Sequence, residues 1–181
     1  MAKSTTRKSE GGQNSGSQLE EYFINELKDV YGAEKQLIKA LPKMQKAATT
    51  EELKEALEEH LAITQEQIAR LEEVFELMDQ KPQSKKCEAM EGITKEGEHV
   101  IQETESGSMT RDAAIIMAAQ KVEHYEIAAY GGLVTLAKTM GKNDVADLLA
   151  QTLAEEKEAD QLLTEIAESS INQEADEEEA D

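Results

Sequence analysis

Apolar residues recur every three or four positions through four long stretches of this chain, and acidic or amide side chains interrupt each of those lines. That spacing builds one buried face of an α-helix and leaves no two-residue alternation for a half-buried strand. The first stretch, about Leu19 to Met44, aligns Leu19, Phe23, Leu27, Val30, Leu37 and Leu41, with Glu34 on the line and Glu26 at its edge. The second, about Glu51 to Gln80, aligns Leu53, Leu57, Leu61, Ile68, Leu71, Phe75 and Met78, interrupted by His60, Thr64 and Gln67. The third, about Arg111 to Met140, carries Ile116, Gln120, Glu123, Ile127, Tyr130, Val134 and Ala137, with Glu126 on or beside the same side. The fourth, about Asp144 to Ser169, turns Val145, Leu148, Leu149, Thr152, Leu163 and Ile166 inward, with Glu155 and Glu156 near that face.

These stretches predict an all-α fold. Only two prolines interrupt 181 residues, and Ala, Leu, Glu, Lys and Gln dominate the composition. Thr50 and Asn143 are suited to cap helix starts, and Gly141 to end the third helix. A short turn at residues 47–50 makes the first two helices antiparallel. The connection from Lys81 to Ser108 is long, contains a helical piece around Cys87 to Ile101, and can return the chain along the height of a bundle. One domain is expected over residues 19–170, preceded by a flexible polar arm (1–18) and followed by a disordered acidic tail (171–181).

A net charge of −20 opposes binding to phosphate backbones, so no nucleic-acid partner is expected. No apolar run reaches membrane-spanning length, and the single cysteine, Cys87, offers neither an intrachain disulfide nor a cysteine-based zinc site. A cytoplasmic protein is the expectation.

The polar interruptions have a common level. Counted from the helix ends at about 1.5 Å per residue, Glu34, His60, Gln67, Glu123, Glu126, Glu155 and Glu156 fall within roughly two turns of one another. A buried carboxylate costs several kcal/mol unless it is paired or bound to a cation. Taken singly, each has an ordinary explanation: a glutamate beside a stripe usually snorkels or pairs, and Glu123 has Lys157 and Arg111 as possible partners. Taken together, one polar layer across four otherwise apolar helices is the arrangement of a carboxylate-bridged dimetal site in a bundle core. Mostly oxygen donors favour iron or manganese over a structural zinc. His99 and His124 have no comparable support.

DVYGAEKQL (Asp29 to Leu37), EEHLAITQEQIARLE (Glu58 to Glu72), CEAMEGI (Cys87 to Ile93), AAQKVEHYEIAAYG (Ala118 to Gly131) and TLAEEKEAD (Thr152 to Asp160) closely resemble the YciF-type ferritin-like proteins, small bacterial stress-associated proteins. The resemblance runs from about Leu19 to Ser169. It implies a ferritin-like four-helix bundle with a long helical crossover between helices 2 and 3, a homodimer, and a dinuclear iron or manganese centre. Carried over by position, Glu34, Glu126 and one of Glu155 or Glu156 resemble carboxylate ligands, with Glu123 and His60 as further candidates and Tyr31 and Tyr130 as supporting donors. The chain departs from the Glu-x-x-His pattern of ferritin-like sites. Leu57 stands three residues before His60, and Glu156 is followed by Asp160 rather than a histidine; Ala62 and Ile63 replace acids the family commonly carries. The function implied is dimetal binding in stress response with peroxide or oxygen as a small oxidant; the alternative is a non-catalytic helical dimer with a structural or interaction role.

Overall fold

The computed structural model describes residues 16–179. Helix α1 spans Gln18–Ala47, α2 Glu51–Leu77, α3 Glu88–Glu103, α4 Met109–Thr139 and α5 Asn143–Ile166. A π-helical turn over Ala167–Ile171 then leads into a short α6, Asn172–Glu177, and no strand occurs among the described residues. Side chains cap the starts of the first four helices. Ser17, Thr50 and Ser108 hydroxyls accept the backbone N–H three residues on, and the Cys87 thiol receives that of Met90. Asn143, the expected cap of α5, is instead its first residue, and Lys142 before it makes no side-chain cap. Gly141 ends α4 as expected: at φ 72° it lets the Lys142 amide reach back to the Ala137 carbonyl at 2.9 Å.

The long helices pack in the ring α1–α2–α5–α4. Gln45 bonds Glu58, and Tyr31 bonds Glu72, so α1 and α2 run antiparallel from their short corner. The buried Asp112 of α4 locks that corner, accepting hydrogen bonds from the Thr49 amide (2.6 Å), the Thr50 amide (2.8 Å) and the Thr50 hydroxyl (2.7 Å). It thereby places a carboxylate at the positive start of α2. Because Asp112 belongs to the first turn of α4, α4 sets out from the same end of the molecule as α2, and α3 is the limb that carries the chain back there against α1 and α4.

Crossing α1 on the way has a steric requirement. The Lys85 amide donates to the Lys28 carbonyl at 2.8 Å, and a Cβ added to Gly32 would stand 1.7 Å from the Lys85 carbonyl oxygen. Backbone cannot yield there without losing the crossing, so Gly32→Ala is expected to destabilise the protein by about 2–3 kcal/mol in urea unfolding. Gly92→Ala, with open space at an exposed helical site, should instead gain about 0.5–1 kcal/mol. Equal effects at the two positions would contradict the close approach.

The core is divided. One apolar cluster, with Leu37, Leu41, Leu53, Ile115, Ile116 and Ile166, fills the end near the α1–α2 corner; a second, with Phe23, Leu27, Leu71, Phe75, Leu133 and Leu149, fills the other. The expected polar layer lies between them.

The acidic tail departs from expectation. Ile171 is buried, α6 packs on α4, and Glu178 accepts from the Met109 and Thr110 amides at 2.6 and 3.0 Å. An isolated isoleucine in an acidic run gives almost no periodic signal, but unpaired amides at a helix start attract carboxylate. The chain is therefore helical and docked through Glu177, six residues beyond the start of the expected tail at 171. Of the expected polar arm, residues 1–15 lie outside the described residues.

Candidate metal centre

Glu34 on α1, His60 and Gln67 on α2, Glu123 and Glu126 on α4, and Glu156 on α5 are all buried, and they form the layer between the two apolar clusters. Their helices position them by simple periodicity. His60, Thr64 and Gln67 fall at i, i+4 and i+7, while Glu123 and Glu126 share one turn. His60, Glu123, Glu126 and Glu156 each offer one ligand atom, and those atoms lie within 4.8 Å of one another.

Several members are held by one atom and left free at another. The Tyr130 hydroxyl donates to Glu34 Oε1, leaving Oε2 without a partner. Gln67 Nε2 donates to Glu156 Oε1, again leaving Oε2 free. Glu123 Oε1 stands 3.5 Å from His60 Nε2, and Glu126 has no hydrogen-bond partner on either oxygen. All eight buried side-chain polar atoms that lack a partner among the described residues belong to this layer. Unsatisfied buried polar atoms are rare, and eight converging in one place call for a common occupant.

Electrostatics follow from burial and crowding. Burial pushes the Glu34 carboxyl up to about 8, with the Glu156 charge adding to it. Burial likewise pushes Glu156 up to about 7, against hydrogen bonds from Glu123 and Gln67. Glu123 and Glu126 are raised well above the carboxylate range, by burial first and then by neighbouring acids. Burial lowers His60 to about 4, so its ring is neutral with a lone pair available.

The structure separates Glu155 from Glu156. Arg70 grips Glu155 through both guanidinium nitrogens at 2.7 Å and also donates to Thr152 Oγ1. Glu155 is thus a paired residue at the edge of the layer, while Glu156 faces its middle. Tyr130 supports the layer as expected, whereas Tyr31 donates away from it, to Glu72 at 2.5 Å. Arg111 does not reach Glu123; it donates to the carbonyls of Ile101 and Thr104. His124 is exposed and 3.3 Å from Asp160. Sequence reasoning overlooked Arg70, though its place three residues after Gln67 puts it on the same helical face, opposite the fourth-helix acids.

The family model described as "Domain of unknown function (DUF892)" matches residues 18–176. The chain belongs to the DUF892 family. Protein YciF of Escherichia coli (strain K12) is 47% identical over 159 residues, which cover 87% of this chain and 95% of that relative. The crystal structure of the E. coli stress protein YciF aligns with a TM-score of 0.82 at 46% identity, covering 87% of this chain and 99% of that one. YcfI from Rhodopseudomonas palustris, described as "a putative structural protein", aligns with a TM-score of 0.78 at 40% identity, over 85% and 98% of the two chains. A protein from Xanthomonas campestris pv. campestris shares the fold, with a TM-score of 0.69 at 24% identity over 89% and 98%.

The residues of this DUF892 protein fit a divalent cation. The set offers three carboxylates and the lone pair of a neutral imidazole, with Glu34 and the free Gln67 Oε1 alongside. Oxygen-rich coordination with one imidazole suits iron or manganese, whereas a structural zinc site closes with cysteine and histidine. The thiol of Cys87 lies elsewhere, against the Tyr125 hydroxyl at 3.1 Å.

Proposed function

We propose that this chain is a ferritin-like four-helix bundle that holds a dinuclear iron or manganese centre and uses it on a small oxidant during stress. The observation that carries the reading is Glu126: a fully buried glutamate with neither oxygen hydrogen-bonded, surrounded by further acids. Only cations make such a group tolerable at neutral pH without protonation. His60, Glu123, Glu126 and Glu156 would hold one ion, and Glu34 Oε2 together with the free oxygens of its neighbours would hold the second. When bound there, such a pair would supply the electrons that reduction of a peroxide or oxygen molecule requires.

The protein's own groups have defined tasks in this reading. Tyr130 orients Glu34, and Gln67 orients Glu156, each by a donated hydrogen bond that leaves one oxygen to the centre. Arg70 keeps Glu155 out of the ligand set. The two apolar clusters exclude water above and below. A role in stress agrees with the description of the E. coli relative. Assembly as a homodimer and a cytoplasmic location, where the single thiol stays reduced, belong to the same proposal. No helix among the described residues is long and apolar enough to cross a membrane.

The competing reading is a non-catalytic helical dimer whose polar layer is a hydrogen-bond network, and the pairs Tyr130–Glu34 and Gln67–Glu156 favour it. In such a network the protonated carboxyls would bond one another, Glu34 with Glu126 and Glu123 with Glu156; the convergence of three of them and an imidazole within 4.8 Å favours a cation instead. The deciding measurement is metal content after purification without chelators. About two iron or manganese ions per chain are expected for a dimetal carboxylate bundle. Protein that stays metal-free after anaerobic reconstitution with either ion would leave the network reading standing.

A further inference from the structure

A cavity of about 160 Å³ opens between α2 and α5 and ends on His60 and Glu123. Its walls are mostly apolar: Ala56, Leu57 and Ile63 on α2 face Ala159, Leu162 and Leu163 on α5, with the Arg70-paired Glu155 also lining it. Leu162 stands at the mouth, 42% exposed, and the acids Glu59 and Glu158 also line the opening. Both His60 nitrogens and Glu123 Oε2 lack hydrogen-bond partners, and both residues are more than nine-tenths buried. An apolar passage with unpartnered polar atoms at its floor is the form of a small-molecule site, in which walls set size and the floor sets orientation.

We propose that this cavity is a substrate pocket for neutral, short-chain alkyl hydroperoxides, with the alkyl group against Leu57, Ile63 and Leu163 and the peroxide head directed to His60 and Glu123. Size, lining and charge each restrict the occupant. A cavity of roughly 150 Å³ accommodates a ring of six carbons, so a tert-butyl group fits and a long acyl chain does not. Bare hydrogen peroxide would leave the apolar walls without contacts. The acids at the opening, in a chain with a net charge of −20, oppose anionic ligands of the same shape. The proposal rests on the metal reading only for what the peroxide head would meet; binding of the alkyl group depends on the walls alone.

The test uses tert-butanol, a redox-inert analogue, with the full-length protein both metal-free and reconstituted. Saturable NMR shifts are expected at the methyl groups of Ile63 and Leu163, and butyrate at the same concentration should leave them unmoved. Ala159→Phe, which places a ring in the passage from a half-buried helical position, should weaken tert-butanol by about tenfold or more while metal content is unchanged. If that variant folds poorly, Ala56→Phe blocks the passage from the opposite wall and should do the same. Normal metal content without tert-butanol shifts at those methyls would overturn the pocket and leave the metal centre standing. Tert-butanol shifts in a protein that takes up no metal would remove the metal reading and overturn the substrate role with it, because no other group at the pocket supplies the electrons a hydroperoxide needs; a binding pocket for neutral alkyl groups alone would stand. Butyrate binding as tightly as tert-butanol would overturn the proposed selection for neutral ligands.

Discussion

Glu126→Leu is expected to abolish metal binding and, in the same protein, to raise the stability of the metal-free form by about 2 kcal/mol near pH 8. Opposite signs in the two readouts are the signature of a functional acid. In the metal-free protein Glu126 is fully buried with no donor on either oxygen, and the charges of Glu34, Glu156 and Glu123 add to the cost of ionising it. Leucine fills comparable space without that cost. With metal the sign reverses, because the oxygens that burdened the fold become bonds. Metal analysis and urea titrations with and without added ion measure both effects. Unchanged metal content would strike Glu126 from the ligands, and a destabilised metal-free variant would show that its carboxyl is already satisfied.

The metal-free protein should also lose stability as pH rises from about 4.5 to 8. The folded-state pKa of Glu34 is raised to about 8 and that of Glu156 to about 7, against 4.5 for an ordinary glutamate. Between those values the native state binds more protons than the unfolded chain, so stability falls with rising pH, by about 1.4 kcal/mol per pH unit for each excess proton. His60 works the other way at lower pH. Its folded value of about 4 lies below the ordinary 6.5, so its contribution is complete above 6.5 and disappears as pH falls toward 4. Two raised carboxyls outweigh one lowered imidazole above about pH 4.5, so without metal these groups together give greatest stability near pH 4 and a decline from there. With iron(II) or manganese(II) present, the carboxyls are deprotonated by the ion, and the descending limb should flatten or invert. A metal-free protein whose urea midpoint stays constant from pH 6.5 to 8 would contradict the crowding of acids.

Much of this was legible in the chain. The apolar stripes place four of the helices because burial on one face imposes the 3.6-residue period on the sequence itself. Glu34, Glu123 and Glu126 are visible as exceptions to that period. The choice between Glu155 and Glu156 was not legible, since adjacent residues differ by only about 100° around a helix and both lie near the inward edge. It is made by Arg70, eighty-five residues away in sequence from Glu155. The docked tail was equally hidden, because its anchor is the electrostatics of another helix's start rather than any pattern of its own. Gly32 stood in plain view inside DVYGAEKQL, but a glycine within a helix does not announce which segment will cross it.

The Arg70–Glu155 pair has a consequence for charge. With Glu155 neutralised by its own arginine, four carboxylates remain in the layer, Glu34, Glu123, Glu126 and Glu156, and the imidazole beside them is uncharged. A pair of divalent ions would bring that set to electroneutrality, the least costly condition for charges buried between two apolar cores. Removing one electron from each ion would then leave two positive charges uncompensated between two apolar cores. Charge balance in the proposed centre would thus rest on Arg70, which decides which of two adjacent glutamates counts toward it.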